Sequence, residues 1–202
     1  MTTLLIFGAG GHGRVVADAA LLAAHWPRVV ASDRDPARCA GELLAGVALV
    51  PPAEAVRAAT AIHVAIGNAA SREREVAALA GRLVSVSHPA ATVSAYAQLG
   101  AGCFVAAQAV IAPYARLGIS VIVNHGAVVD HDVTVGDFSH IAPLVALAGG
   151  VQVGRRVLVG SGASVLPGVR IADDVVVGAG AVVADHLSEP GVYAGVPARR
   201  LK

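Results

Sequence analysis

Aromatic side chains are scarce in this 202-residue chain, with Phe, Trp and Tyr together making up 3%. Proteins that hold single-stranded nucleic acid stack bases on aromatic rings, so the shortage argues against that role. Excess charge of either sign is also missing. The net charge is +1, which calls for neither nucleic acid nor an anionic membrane surface as partner. Cysteine is limited to Cys39 and Cys103, far apart in sequence. Two distant thiols make neither a disulfide framework nor a metal cluster, and they fit a reducing, cytoplasmic compartment. The opening MTTLLIFGAGGHGR has no basic leader and no cleavage signature, so no signal peptide is expected. Residues 83–115 contain no Asp, Glu, Lys or Arg. Gly, Pro, Ser, Gln and His nevertheless interrupt them every few positions, and this reads poorly as a membrane span.

The length allows one large domain or a small domain followed by a second. Composition shifts near His88 and Pro89. Before that point, apolar strands at 3–7, 28–32, 61–66 and 83–86 alternate with helical stretches at 12–24, 52–59 and 71–80. Such alternation implies a small parallel α/β sheet, a Rossmann-like half domain over residues 1–87.

From residue 88 the period becomes six. Aliphatic residues recur without a miss at Val93, Leu99, Val105, Ile111, Leu117, Val123 and onward to Val177 and Val183. From Ala97 to Ala181 the residue two places before each is Ala, Val, Ser or Cys. Alternation in a strand puts both on one face. The residue after the aliphatic one is mostly Gly, Ala, Asn or Asp, as a corner requires. Three hexads close a triangular coil, and stacked coils bury one aliphatic column. Residues 88–202 are therefore expected to form a parallel β-helix of about five coils with a short C-terminal tail.

Two groups of residues suggest chemistry. Gly8-Ala9-Gly10-Gly11-His12-Gly13 follows a strand and opens a helix, with Asp33 twenty residues past Gly13. Glycines let a pyrophosphate approach the backbone, helix amides bind it, and an acidic residue can hold a ribose or base. A turn needed only for packing is the plainer alternative. Half a dinucleotide fold suits a mononucleotide sugar better than NAD. Gly67 and Asn68 lie at a carboxyl strand end, where open α/β sheets bind ligands, although a plain turn reads equally well there. In the repeat region His131, beside Asp132, falls at an outward corner, and His140 also faces outward. Eighteen residues make one coil, so His131 stacks over Gly149, while His125 aligns with Pro143, Ser161 and Ala179. A lane of small residues headed by a histidine could hold a thin ligand such as pantetheine. Acylating an amine needs a base, and histidine titrates near pH 6.5. A neighbouring carboxylate can orient the ring. A solvated surface histidine is the plainer reading. No Cys or Ser stands in an evident nucleophile setting, so direct transfer is favoured, and the histidine spacing predicts no metal site.

GAGGHG after the first strand, SHPA at 87–90, DHDVTVGDFSH at 130–140 and the ending GVPARRL together resemble the PglD/NeuD group of nucleotide-sugar acetyltransferases. The resemblance spans essentially the whole chain. It implies a left-handed parallel β-helix, a homotrimer and acetyl-CoA held between neighbouring chains. The acceptor it implies is a UDP- or GDP-linked 4-amino-4,6-dideoxy sugar. Carried over by position, it makes His131 the catalytic base and Asp132 its acidic neighbour, with Asn124 near the reacting amine. It gives His140, Gly149, Ser161 and Ala179 contacts to CoA. Gly10, Gly11, His12 and Gly13 match the pyrophosphate loop, and Asp33 matches one of an acidic pair that reads the base, whose partner position here is Arg34 or Ser32. A sugar or sialic acid O-acetyltransferase on the same fold is the nearest alternative. An NAD-dependent enzyme and a non-catalytic or metal-dependent β-helix are more remote.

Overall fold

The computed structural model describes residues 2–79 and 81–201. The apolar run Thr3–Phe7 forms the central strand β1, buried along its length. It pairs in parallel with β2 (Arg28–Ser32) and β5 (Ala61–Val64). The α1 helix (Gly11–Ala23) covers one face of this sheet, while α2 (Pro52–Ala58) and Leu79, just past α3 (Ala69–Ala78), pack on the other.

Three features depart from the sequence expectation. First, the sheet is not purely parallel. Glu42–Leu44 (β3) and Val47–Leu49 (β4) form an antiparallel hairpin added beyond β2, giving the order β3-β4-β2-β1-β5. Three-residue strands are too short to show a period, and the only cue is Gly46, whose φ of 82° turns the hairpin. Second, the strand expected at 83–86 does not close this sheet. Leu83 makes a single bridge to Ile62, whereas β6 (Val86–Ser87) pairs with Phe104–Val105 of the β-helix. Third, the helix expected over 71–80 starts earlier, because the Asn68 side chain accepts a hydrogen bond from the Ser71 amide and caps it. Its expected last residue, Ala80, lies outside the described residues.

The β-helix has three flat faces of short parallel strands. Face 1 carries Thr92–Val93, Val110–Ile111, Val128–Val129, Ala146–Leu147, Ser164–Val165 and Val182–Val183. Face 2 runs from Gln98–Leu99 to Arg170–Ile171. Face 3 runs from β6 through Ile122–Val123, His140–Ile141 and Leu158–Val159 to a closing hairpin of Gly191–Ala194 and Arg199–Arg200. Inside is one continuous apolar core made by the aliphatic residue of each hexad and the small residue two before it.

The corners are built differently from the simplest expectation. Every sixth residue from Gly102 to Gly180 has positive φ, including Tyr114, Asp132, Phe138 and Leu144. That residue lies three places after the aliphatic one. The residue directly after the aliphatic one is small for a steric reason. A Cβ on Gly100 would come within 2.5 Å of the Gly118 carbonyl oxygen, one coil on.

Face 3 is the docking face for the α/β unit. The outward side chains of Phe104 and Ile122 are buried with Val16, Ala17 and Ala20 of α1. This places the N-terminus of α1 beside the strand that carries His140.

Candidate active site

The glycines of the first loop have separate tasks. Gly8 (φ 122°) and Gly13 are demanded by the fold, since a Cβ would lie 2.7 Å from the Ala65 oxygen in one case and 2.0 Å from the Gly8 oxygen in the other. Gly10 and Gly11 have nothing within 4 Å of a built Cβ. Their open side belongs to a cavity of about 360 Å³ at the N-terminus of α1. Gly10, Gly11, His12, Asp33 and Gly67 all line it, so five of the expected residues converge there. Asp33 anchors the loop: its Oδ2 accepts the Ala9 amide at 2.9 Å and its Oδ1 accepts the Asp35 amide at 3.1 Å.

Sequence reasoning named Arg34 only as a partner position of Asp33 and missed the cations of this cavity as a group. Arg34, Arg38 and Arg74 line it together with Glu75. Arg34 pairs with Glu75 at 2.9 Å, and Arg38 stands 3.8 Å from Asp33. Arg74 and Glu75 stood in the charge run of α3, which reads first as a solvated face, while Arg34 and Arg38 fall in the irregular segment after β2, where no pattern marks them.

A second cavity of about 450 Å³ adjoins the first through Gly67 and is lined by Asn68, His140, Arg156, Val157, Leu158 and Val176. His140 Nε2 lies 3.2 Å from Asn124 Nδ2, and its ring centroid is 6.4 Å from that of His12. The His12 ring stands edge-on to Phe104 at 5.3 Å, and its Nε2 is buried without a hydrogen-bond partner. Burial lowers the His12 pKa to about 3, helped by the charges of His63 and His140. Burial likewise lowers His140 to about 4, with Arg72 adding to the effect. Both rings are neutral, weak bases at neutral pH.

His131 is in the opposite situation. It sits at the corner between faces 1 and 2 with a side chain 61% exposed, and its Nδ1 lies 2.8 Å from Asp132 Oδ2. That hydrogen bond, with the charge of Asp130 in support, raises its pKa above the usual value. With Nδ1–H donated to Asp132, Nε2 faces outward with its lone pair free. Gly149 lies directly beneath the ring on the next coil. Ser161 and Ala179 fall instead at the corner between faces 3 and 1, where the Gly180 amide donates to the Ser161 oxygen at 2.9 Å.

The expected residues therefore form two groups in one chain. Gly10, Gly11, His12, Asp33, Gly67, Asn68, Asn124 and His140 gather where α1 meets face 3, with Ser161 and Ala179 along the adjoining corner. His131, Asp132 and Gly149 stand across face 1, at its other corner. Gly13 supports the loop from behind. Among the described residues no helix is long and apolar enough to cross a membrane, and no three His, Cys, Asp or Glu side chains group as metal ligands.

Residues 3–79 match the PglD N-terminal domain family, and residues 150–185 match the bacterial transferase hexapeptide repeats. The whole chain superposes on the acetyltransferase domain of PglB from Neisseria gonorrhoeae, with 33% identity, full coverage of both chains and a TM-score of 0.91. A second structure of that domain holds acetyl coenzyme A. PerB from Caulobacter crescentus, in complex with CoA and GDP-perosamine, is 36% identical over 100% of this chain and 98% of its own, with a TM-score of 0.90. Two further structures of the Caulobacter enzyme carry a single histidine replaced by alanine or by asparagine. WeeI from Acinetobacter baumannii shares the fold at 18% identity and a TM-score of 0.64.

Proposed function

The chain belongs to the PglD-type nucleotide-sugar acetyltransferases, acetyl-CoA-dependent sugar N-acetyltransferases, and from this premise we propose that its acceptor is a nucleoside-diphosphate-linked 4-amino-4,6-dideoxy sugar. The observation that carries the proposal is the cavity at the N-terminus of α1. Two glycines with open Cβ positions, unpaired helix amides and the arginines Arg34, Arg38 and Arg74 suit a pyrophosphate. Asp33 and Glu75 already hold the Ala9 amide and Arg34, and their remaining carboxylate lone pairs would meet a ribose or base. Similarity to PerB favours the GDP conjugate over the UDP one. Residues 1–87 would then be the nucleotide-sugar unit and residues 88–202 the transferase unit.

In the proposed reaction His131 Nε2 accepts a proton from the sugar amine as the nitrogen bonds the acetyl carbonyl carbon. Asp132 holds the Nδ1–H and stabilises the imidazolium. His131 then returns the proton to the departing CoA thiolate as the C–S bond breaks. His12 and His140, with pKa values of about 3 and 4, make poor bases and serve as neutral hydrogen-bonding groups. Asn124, beside His140, would orient the amine, and Gly149, Ser161 and Ala179 would leave room for pantetheine.

The acceptor cavity lies over face 3, with its Gly67 loop tied to the corner of faces 2 and 3, whereas His131 stands at the corner of faces 1 and 2 and lines neither cavity, so the site is completed between copies in a homotrimer. Face 1 is suited to this. Its outward residues Val110, Val128, Ala146, Ser164 and Val182 are small and largely apolar. Face 2 instead presents Gln98, Arg116, Thr134, Gln152 and Arg170. The test is thiol release from acetyl-CoA across a panel of GDP- and UDP-linked amino and hydroxy sugars, run beside sedimentation. Amide product from an amino sugar by a trimer is expected. Ester product, or full activity from a monomer, would overturn the reading.

A further inference from the structure

Arg72 is 1% exposed, and among the described residues no carboxylate forms an ion pair with it. Its guanidinium donates only to main-chain oxygens. Nη1 reaches Ile66 at 2.7 Å and Gly67 at 2.8 Å, Nε reaches Ser120 at 3.0 Å, and Nη2 reaches Phe138 and, at 3.4 Å, Ser139. A guanidinium has five N–H donors in a planar fork, and five carbonyls receive them. Among the described residues no backbone amide reaches the Ile66, Gly67, Ser120 or Phe138 oxygens. Burying a charge costs several kcal/mol unless its donors are satisfied, so this geometry is far from accidental. Burial lowers the pKa to about 10, which leaves the group charged at neutral pH.

The carbonyls belong to two places. Ile66 and Gly67 form the loop that walls both cavities. Ser120 and Phe138 are left-handed corner residues of successive coils, with φ of 51° and 60°, and Ser139 directly precedes His140. One side chain thus joins the loop of the α/β unit to the coil corner that leads into the His140 strand.

We propose that Arg72 is a positioning residue: it locks the Gly67 loop to the β-helix at a fixed distance from His140, so that the sugar nucleotide is held in register with the acyl donor. The inference rests on the acceptor cavity assigned above. Lysine keeps the charge but gathers its donors on one nitrogen, and it cannot span both places.

Steady-state kinetics of the whole protein test this. Arg72→Lys is expected to raise the KM for a GDP-linked amino sugar at least tenfold while the KM for acetyl-CoA stays within twofold. Glu73→Gln removes ion pairs to Arg155 at 3.2 Å and Arg156 at 3.7 Å that also join α3 to the β-helix. It is expected to leave both KM values unchanged. An Arg72→Lys protein with a lower melting temperature but an unaltered sugar KM would reduce Arg72 to a structural tie and overturn the proposal. Gly11→Val separates the two readings. If it raises the sugar KM and Arg72→Lys does not, the positioning role fails alone; if neither does, the cavity assignment fails. Should the lysine variant not fold, hydrogen exchange of the wild type decides. The Ser71 and Arg72 amides, which bond to Asn68, are expected to exchange as slowly as those of His140–Ile141. Exchange hundreds of times faster would show a loop that opens by itself and would refute the lock.

Discussion

The imidazole of His131 occupies the space that a side chain on Gly149 would need: a Cβ there would lie 2.6 Å from both Cε1 and Nε2 of the ring. The φ of Gly149 is not in the left-handed region, so its backbone would accept alanine. The glycine is required by the ring alone. Gly149→Ala is therefore expected to fold with an unchanged melting temperature and to push the ring off its position. A displaced base commonly costs about a hundredfold in rate. Loss of kcat on that scale, with the sugar-nucleotide KM within a few-fold, is the expected kinetic result. An alanine variant as active as the wild type would mean that the ring position is immaterial.

His131 and Asp132 should be separable by pH. The hydrogen bond to Asp132 raises the His131 pKa, so the imidazole stays protonated to a higher pH than a free one. A protonated base cannot accept a proton, and kcat should fall as pH drops through this raised value, above about 6.5. His131→Ala is expected to lose about 10²–10⁴-fold in kcat and to lose that acid limb. Asp132→Asn should cost less and move the limb to lower pH, because the amide no longer stabilises the imidazolium. A limb in the same place in both Asp132→Asn and wild type would separate Asp132 from the base.

The repeat region was almost wholly legible because its information is local. Each hexad writes its own core residue and its own corner, and pairing one coil to the next follows from the period. What the sequence left open was long-range. Residues 83–86 looked like the last strand of the α/β sheet, yet the strand that forms is Val86–Ser87 and its partner is Phe104–Val105. The hairpin of β3 and β4 was too short to carry a pattern. His140 faces outward, as its place in the hexad requires, but only the docking of α1 shows that outward here means half-buried beside His12. Arg72 was hidden for the same reason: its partners are carbonyls 5 to 67 residues away, and no motif records them.

The glycine loop offers a paired test of folding against binding. A Cβ at position 13 would collide with the Gly8 carbonyl oxygen at 2.0 Å, and that oxygen belongs to backbone that cannot swing aside. Gly13→Ala is expected to destabilise the protein by several kcal/mol, in the range of overpacked cores. Gly11 meets nothing within 4 Å, so Gly11→Val should fold normally. Its isopropyl group would fill the cavity at the helix amides proposed to receive the pyrophosphate. The expected outcome is a sugar-nucleotide KM raised tenfold or more with the acetyl-CoA KM unaltered. Normal sugar binding in Gly11→Val would remove the loop from the acceptor site.

Acid should unfold this protein earlier than its few surface ion pairs would suggest. His63 is buried and His12 and His140 are half-buried, and loss of solvent lowers their pKa values to about 4, 3 and 4. In the unfolded chain each titrates near 6.5. Below that pH the unfolded state binds protons that the folded state refuses, so stability falls with falling pH. The sign is that of a depressed folded-state pKa: stability is complete above about 6.5 and is lost as pH drops toward 4. Each group contributes a slope of at most about 1.4 kcal/mol per pH unit, so three give roughly 4 kcal/mol per unit near pH 5. Set against a typical total of about 5–15 kcal/mol, that loss is large. Denaturant melts at pH 7, 6 and 5 should therefore show a steep decline before most carboxylates protonate. His63→Gln, which removes one of the three groups, is expected to shrink the slope by about a third. The glutamine amide could take over the bond that His63 Nδ1 makes with the Val84 oxygen at 3.0 Å. Equal stability at pH 7 and pH 5 would show that these rings take up protons in the folded state. The cluster beside α1 would then be open to water, and His140 would become available as a base in competition with His131.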